Sequence, residues 1–151
     1  MDSRTRPTAA ALGEGDGVIS VDSTPSSQKQ RSLEHACLCA KTADDYRCTD
    51  TLVLDLTGVT PVVDYFVLTT GTSKRQMHAL ADEVKRLLQA EGSGRLGLEG
   101  YETGTWILED FGDIVLHVFT AETRKIYSLE QLWADAPQVD WRSIVERSKS
   151  N

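Results

Sequence analysis

No run of apolar residues in this chain approaches the roughly 20 that a bilayer-spanning helix needs. Ile114 to Phe119, among the longest, is broken by His117, so a membrane-embedded protein is not expected. The amino terminus, Met1-Asp2-Ser3-Arg4, lacks the apolar centre of a secretory signal. Asp2, Glu14 and Asp16 also oppose the basic character of an organelle-targeting peptide, despite Arg4 and Arg6. A cytoplasmic location is the expectation. Cysteine is scarce: Cys37, Cys39 and Cys48 lie close together, odd in number, with no histidine or second cysteine pair at zinc-binding spacing. They read as free thiols in a reducing compartment, with no metal and no cofactor expected. Positive charge is short too, with 16 lysines and arginines against 23 carboxylates and a formal net charge of −7. That balance disfavours binding by phosphate neutralisation, so sequence-specific nucleic-acid recognition is not expected. A basic protein partner suits it better.

What remains is enough for one domain, since 151 residues, 40% of them hydrophobic, sit within the usual domain size. Residues 1–28 are rich in Ser, Thr, Gly, Ala and Pro, with few large apolar side chains to offset the entropy of ordering, and are expected to form a disordered tail. The domain is expected over residues 29–141, with 142–151 as a short carboxyl-terminal tail. Inside it, Leu33, Ala36, Cys37, Ala40 and Ala43 recur at helical spacing and predict a helix from about Lys29 to Arg47. Leu52 to Leu56, closed by Thr57-Gly58, and Val62 to Thr70 read as buried strands. The clearest helix runs from Ser73 to Glu91, with an apolar stripe of Met77, Leu80, Ala81, Val84, Leu87 and Leu88. Ser73 and Gln76 make a capping box at its start, and Gly92 is a natural stop. A short strand is expected around Leu96 to Tyr101, then strands at Thr105 to Asp110 and Asp113 to Thr120, and a last helical piece near Ser128 to Trp133. This order predicts an α/β protein of the α+β kind, a mixed sheet of about five strands with helices packed on it.

Candidates for chemistry are few. Thr70-Gly71-Thr72-Ser73 opens a helix, where backbone amides can hold a phosphate. The glycine spacing of a dinucleotide fingerprint or phosphate loop is missing, and a nucleotidyltransferase would need paired aspartates on a following strand. The nearest acidic pair, Asp82-Glu83, lies within the helix, where neighbours point apart. A helix cap is the favoured reading. Asp110-Phe111-Gly112 resembles a kinase triplet, but no nucleotide loop or catalytic loop accompanies it. His35, His78 and His117 lie on separate elements without metal-ligand spacing. No catalytic residue is assigned, and the chain is not expected to be an enzyme.

The hairpin around Phe111-Gly112 says more. If those two residues are the loop, Asp110 opposes Asp113, Leu108 opposes Val115, and Trp106 opposes His117. All six would share one face. Between Glu99 and Thr123 there are also six carboxylates (Glu99, Glu102, Glu109, Asp110, Asp113, Glu122) and no lysine or arginine. Two readings remain open: an acidic, aromatic face awaiting a positive partner, or a half-buried tryptophan beneath solvated turn aspartates.

At these residues the sequence resembles the ribosomal silencing factor family, also called Iojap. The matching stretches are Asp64-Tyr65-Phe66-Val67, Gly71-Thr72-Ser73 with Arg75-Gln76, Ala79 to Val84, Glu99-Gly100, and Trp106-Ile107-Leu108 leading into Asp110-Phe111-Gly112-Asp113. They continue through Val115 to Phe119, then Tyr127, Leu129-Glu130 and Leu132-Trp133, so that the resemblance runs from about Ser32 to Pro137. It implies a nucleotidyltransferase-like fold without that activity. It also implies a protein that binds large-subunit ribosomal protein fourteen on the face meeting the small subunit, blocks subunit association and represses translation. Homodimers are common in the family, and a role in large-subunit assembly is an alternative. Carried over as surface positions are Trp106, Asp110, Phe111, Asp113 and Tyr127, with Phe111 standing where leucine or tyrosine is also common. With the hairpin register, the expected partner-binding set is Trp106, Leu108, Asp110, Phe111, Asp113, His117 and Tyr127.

Overall fold

The structure is a computed structural model that describes residues 25–149. The tail expected over residues 1–28 therefore lies outside the described residues up to position 24. Residues 25–28 belong to the first helix, α1 (Pro25–Asp45). That helix starts earlier than its apolar stripe because proline and polar residues are tolerated in a first turn. Strands β1 (Thr49–Asp55) and β2 (Tyr65–Gly71) follow, then α2 (Lys74–Ala90), β3 (Gly97–Glu99), β4 (Trp106–Asp110) and β5 (Ile114–Thr120). The chain closes with α3 (Ala121–Tyr127), α4 (Leu129–Leu132), β6 (Gln138–Val139) and α5 (Trp141–Lys149).

The sheet has six strands in the order β3-β4-β5-β2-β1-β6, one more than the five expected, since the two-residue β6 was too short to show a period. It is mixed: β2 and β5 are parallel, and every other pair is antiparallel. The parallel pair lies at the centre and is buried along nearly its whole length, which is why Val67-Leu68 and Val115-Leu116 read as continuous apolar runs. On one side lie α1, α2 and α5, whose Ala36, Ala40, Met77, Leu80, Val84 and Trp141 join Val53, Val67, Ile107 and Leu116 in the larger core. Among the described residues the other side has no long helix. A smaller core of Leu54, Leu56, Val63, Leu68, Val115 and Phe119 packs there with Leu129, Ala136 and the partly buried Phe66, Trp106, Leu108 and Trp133.

The α2 stripe buries Met77, Leu80, Ala81, Val84 and Leu88, as its spacing predicts. Residues 142–149, set apart as a tail by sequence, lie in α5, where Ile144 and Val145 pack against the core and Trp141 Nε1 donates to the Thr51 carbonyl. Few large side chains mark that segment in sequence, and only the partner surface on α1 reveals its role. None of the described helices is long and apolar enough to cross a membrane.

Gly100, at φ 75°, lets the chain turn between β3 and β4. A side-chain Cβ there would overlap the Trp106 carbonyl oxygen. Gly100→Ala is expected to destabilise the protein by at least about 1 kcal/mol, because both the positive φ and the backbone contact oppose it. Gly94→Ala is the control: nothing lies within 4 Å of its added carbon. Urea unfolding of the two variants measures the difference, and equal midpoints would show that Gly100 does not hold β4.

Candidate functional site

The β4–β5 hairpin turns one residue later than its sequence suggests. Phe111 N–H donates to the Ile114 carbonyl at 3.0 Å, so Gly112-Asp113 is the two-residue loop, with Gly112 at φ 97° where a hairpin favours glycine. Trp106 therefore opposes Phe119, Leu108 opposes His117, and Asp110 opposes Val115. Each partner differs by two from the expected register. A shift of two preserves side-chain direction, so Trp106, Leu108, Asp110, Val115 and His117 still share a face. That face is the one without long helices.

Two expected members leave it. Phe111 is 4% exposed and belongs to the larger core beneath the helices, because a residue paired with Ile114 points to the opposite side from Asp110. Asp113 sits in the turn, where its carboxylate accepts a hydrogen bond from Ser32 Oγ of α1 at 2.7 Å. Asp110 and Asp113 are not opposed. Asp110 instead accepts from Gly112 N at 2.8 Å. The acidic stretch is dispersed as well: Glu109 faces the helices, fully buried against Arg95 Nη1 at 2.9 Å. Burial outweighs the nearby guanidinium and pushes its carboxyl up to about 7.

What the face does carry is a chain of aromatic rings. Tyr127, 56% exposed at the end of α3, lies 4.9 Å from the half-buried Trp106, which lies 5.1 Å from Phe119. Trp106 Nε1 donates to His117 Nδ1 at 3.1 Å, and His117 meets the edge of Phe66 at 4.6 Å, with Trp133 beyond at 5.7 Å. His117 was expected to touch a partner, but it is 4% exposed, and burial pushes its imidazole down to about 3. It supports Trp106 from below. Tyr127 is positioned by the buried Arg124, whose Nη1 donates to the Asp50 carbonyl at 2.7 Å and to Thr70 Oγ1 at 2.8 Å. Beside the rings, Val62, Phe66, Leu108, Val115, His117 and Trp133 line an apolar groove of about 340 Å³ with Asp110 at its rim. Phe66, Trp133 and Val62 were not assigned to a site by sequence. Phe66 lay inside an apolar run, and Val62 and Trp133 lie on segments distant in the chain.

The turn at Gly71 to Ser73 is occupied by capping. Ser73 Oγ accepts from Gln76 N, and Gln76 in turn accepts from Thr72 N and donates to the Tyr46 carbonyl. Asp82 and Glu83 diverge, one to the Tyr101 hydroxyl and the other to Arg86. Among the described residues no group of three or more His, Cys, Asp and Glu side chains could hold a metal. All three cysteines are free and buried, and burial raises the thiols of Cys37 and Cys48 to about 11.

The model of the family described as "Ribosomal silencing factor during starvation" matches residues 29–151. The chain belongs to the ribosomal silencing factor family. The ribosomal silencing factor RsfS of Bacillus subtilis is 41% identical over 103 residues, 68% of this chain and 87% of that one. The mouse protein named mitochondrial assembly of ribosomal large subunit protein 1 is 37% identical over 73 residues, 46% of this chain and 32% of its own length. A crystal structure from Chromobacterium violaceum, 36% identical, aligns with a TM-score of 0.64 over 67% of this chain and 84% of that chain. The six-stranded mixed sheet is thus placed beside a ribosomal silencing factor relative in sequence and a solved neighbour in fold. The silencing and large-subunit assembly branches meet in the same family.

In this chain the neutral His117 makes stability depend on acid. Its pKa falls from 6.5 to about 3 on folding. Below the unfolded value the unfolded chain binds more protons, so the stabilisation from a neutral ring is lost as pH falls toward 3. Glu109 acts in the opposite sense, losing its contribution as pH rises from 4.5 through about 7. His117→Gln is expected to remove up to roughly 1.4 kcal/mol of acid loss per pH unit below the unfolded value while leaving the Glu109 contribution in place. Urea unfolding of both proteins at pH 7 and pH 5 measures it. Equal losses would contradict a neutral, buried His117.

Proposed function

We propose that this protein docks the open face of its sheet on the large ribosomal subunit, at ribosomal protein fourteen, and represses translation by occupying the place where the small subunit must sit. The observation that carries the reading is the aromatic chain from Tyr127 through Trp106 to Phe66 and Trp133, on the side of the sheet that no long helix covers. Partly exposed aromatic rings beside apolar walls are the residues that supply most of the affinity in protein interfaces. Val62, 58% exposed, lines the groove beside these rings and enlarges that patch. Net charge of −7 favours encounter with a basic ribosomal protein. An interface on the order of 1,600 Å² in total is within reach of a domain this size. Occlusion then requires no catalysis, which accords with a regulatory, ribosome-associated family and a cytoplasmic protein.

A second reading, large-subunit assembly through the same contact, is favoured by the similarity to the mouse protein named for mitochondrial assembly of the ribosomal large subunit. It predicts binding to immature large subunits as well as mature ones.

Tyr127→Ala combined with Asp110→Lys is expected to weaken binding to purified large subunits by more than about tenfold, with the fold intact. Co-sedimentation reads the affinity, and added small subunits should displace the wild type. Unchanged binding by the folded double variant, or simultaneous binding of this protein and the small subunit, would refute the docking face or the occlusion.

A further inference from the structure

His117 carries a hydrogen with nowhere to go. Indole N–H is only a donor, so Trp106 Nε1 must place its hydrogen on an unprotonated His117 Nδ1. In a neutral imidazole the hydrogen then resides on Nε2. That atom is buried in a residue only 4% exposed and has no hydrogen-bond partner among the described residues. Buried donors are nearly always paired, so an unpaired one marks a place where something else supplies the acceptor. His117 lines the apolar groove, whereas Trp106 does not. Its Nδ1 edge is turned to Trp106, and Phe66, another wall of the groove, stands edge-on to the same ring with centroids 4.6 Å apart.

We propose that this groove accepts a polypeptide segment of the ribosomal partner, one oxygen of which takes the Nε2 hydrogen of His117. The proposal rests on the docking reading above and names the chemistry at the centre of that face. Val62, Leu108 and Val115 offer walls for an apolar side chain, and the net charge of −7 favours a basic partner. A basic protein supplies all three elements: main-chain carbonyl, apolar side chain and positive charge. A second copy of this chain, with its net charge of −7, is the poorer match. Phe66 and Trp133 are partly buried, and Phe66 stands edge-on to the imidazole at 4.6 Å. These are the side chains that yield so that an oxygen reaches Nε2. Such a donor discriminates among partners, because a segment without a matching oxygen leaves it unpaired in a drier site.

Two substitutions separate the two ring nitrogens. His117→Asn places an amide oxygen near the Nδ1 position, keeping an acceptor for Trp106 and deleting the deep donor. His117→Gln places an amide N–H near the Nε2 position, keeping the deep donor. His117→Asn is expected to weaken large-subunit binding roughly five- to tenfold, and His117→Gln to retain more of the affinity. The ratio between wild type and His117→Asn should be constant from about pH 5.5 to 8, since the donor is the neutral ring. Urea unfolding confirms that both variants fold. Wild-type affinity in His117→Asn, equal losses in both variants, or a ratio that grows in acid would overturn the proposal while leaving the docking face standing. Altered self-association of His117→Asn with unchanged subunit binding would also overturn it, by assigning the groove to a second copy. Failure of the wild type to sediment with large subunits would overturn the docking reading and this one together, and is visible before any variant is made.

Discussion

The turn at Gly112-Asp113 sets the register of the β4–β5 hairpin, and through the two-residue period of a strand it decides which side chains face open solvent. A turn displaced so as to slip the pairing by one residue would send Trp106 under the helices and bring Glu109 to the surface. Glycine at φ 97° lets the chain reverse within two residues, and Phe111 and Ile114 flank the reversal from inside the larger core. Burial of that apolar pair on the helix side therefore holds Trp106, Leu108 and Asp110 on the other. The open face is a consequence of how the opposite face packs.

On that face the polar groups are rationed. Trp106 Nε1 and His117 Nδ1 satisfy one another through a single hydrogen bond, with the imidazole kept neutral by burial. A charged imidazolium could not accept from the indole, so desolvation of His117 is also what fixes the orientation of the Trp106 ring. Tyr127 reaches the same cluster from α3, which is tied to the sheet by the Arg124 guanidinium rather than by its own short apolar surface. The site thus combines a rigid strand pair with an anchored helix end. Preorganised rings lose little freedom on binding, which is the usual reason that aromatic residues dominate interfaces.

The acidic segment illustrates how charge in sequence differs from charge in space. Six carboxylates between Glu99 and Thr123 suggest one negative surface. Folding sends Glu109 inward to Arg95 and Asp113 to Ser32, leaving Asp110 at the groove. In the proposed docking, attraction to a basic partner comes from the net charge of the whole chain, and the open face offers mainly aromatic and apolar surface.

The α2 stripe, its Ser73 cap and the buried central strands were legible in sequence, because each depends on a local period or a neighbouring residue. The membership of Trp106, Leu108 and Asp110 on one face was legible too, since alternation along a strand survives an even error in register. The turn position was not, because Phe111 is equally plausible as a loop residue until its core contacts are known. Nor were β6, α5 and the contribution of Val62 and Trp133, whose roles exist only where distant segments meet. By itself the sequence determined the first two long helices, the central strands, the mixed sheet and the family, because these follow from short-range periodicity and from motifs carried by consecutive residues. Tertiary structure alone decided that Phe111 and Asp113 leave the open face, that Glu109 is buried against Arg95, that His117 is buried and that a groove lies beside Trp106, because burial and hydrogen-bond partnership are properties of packing between residues far apart in the chain.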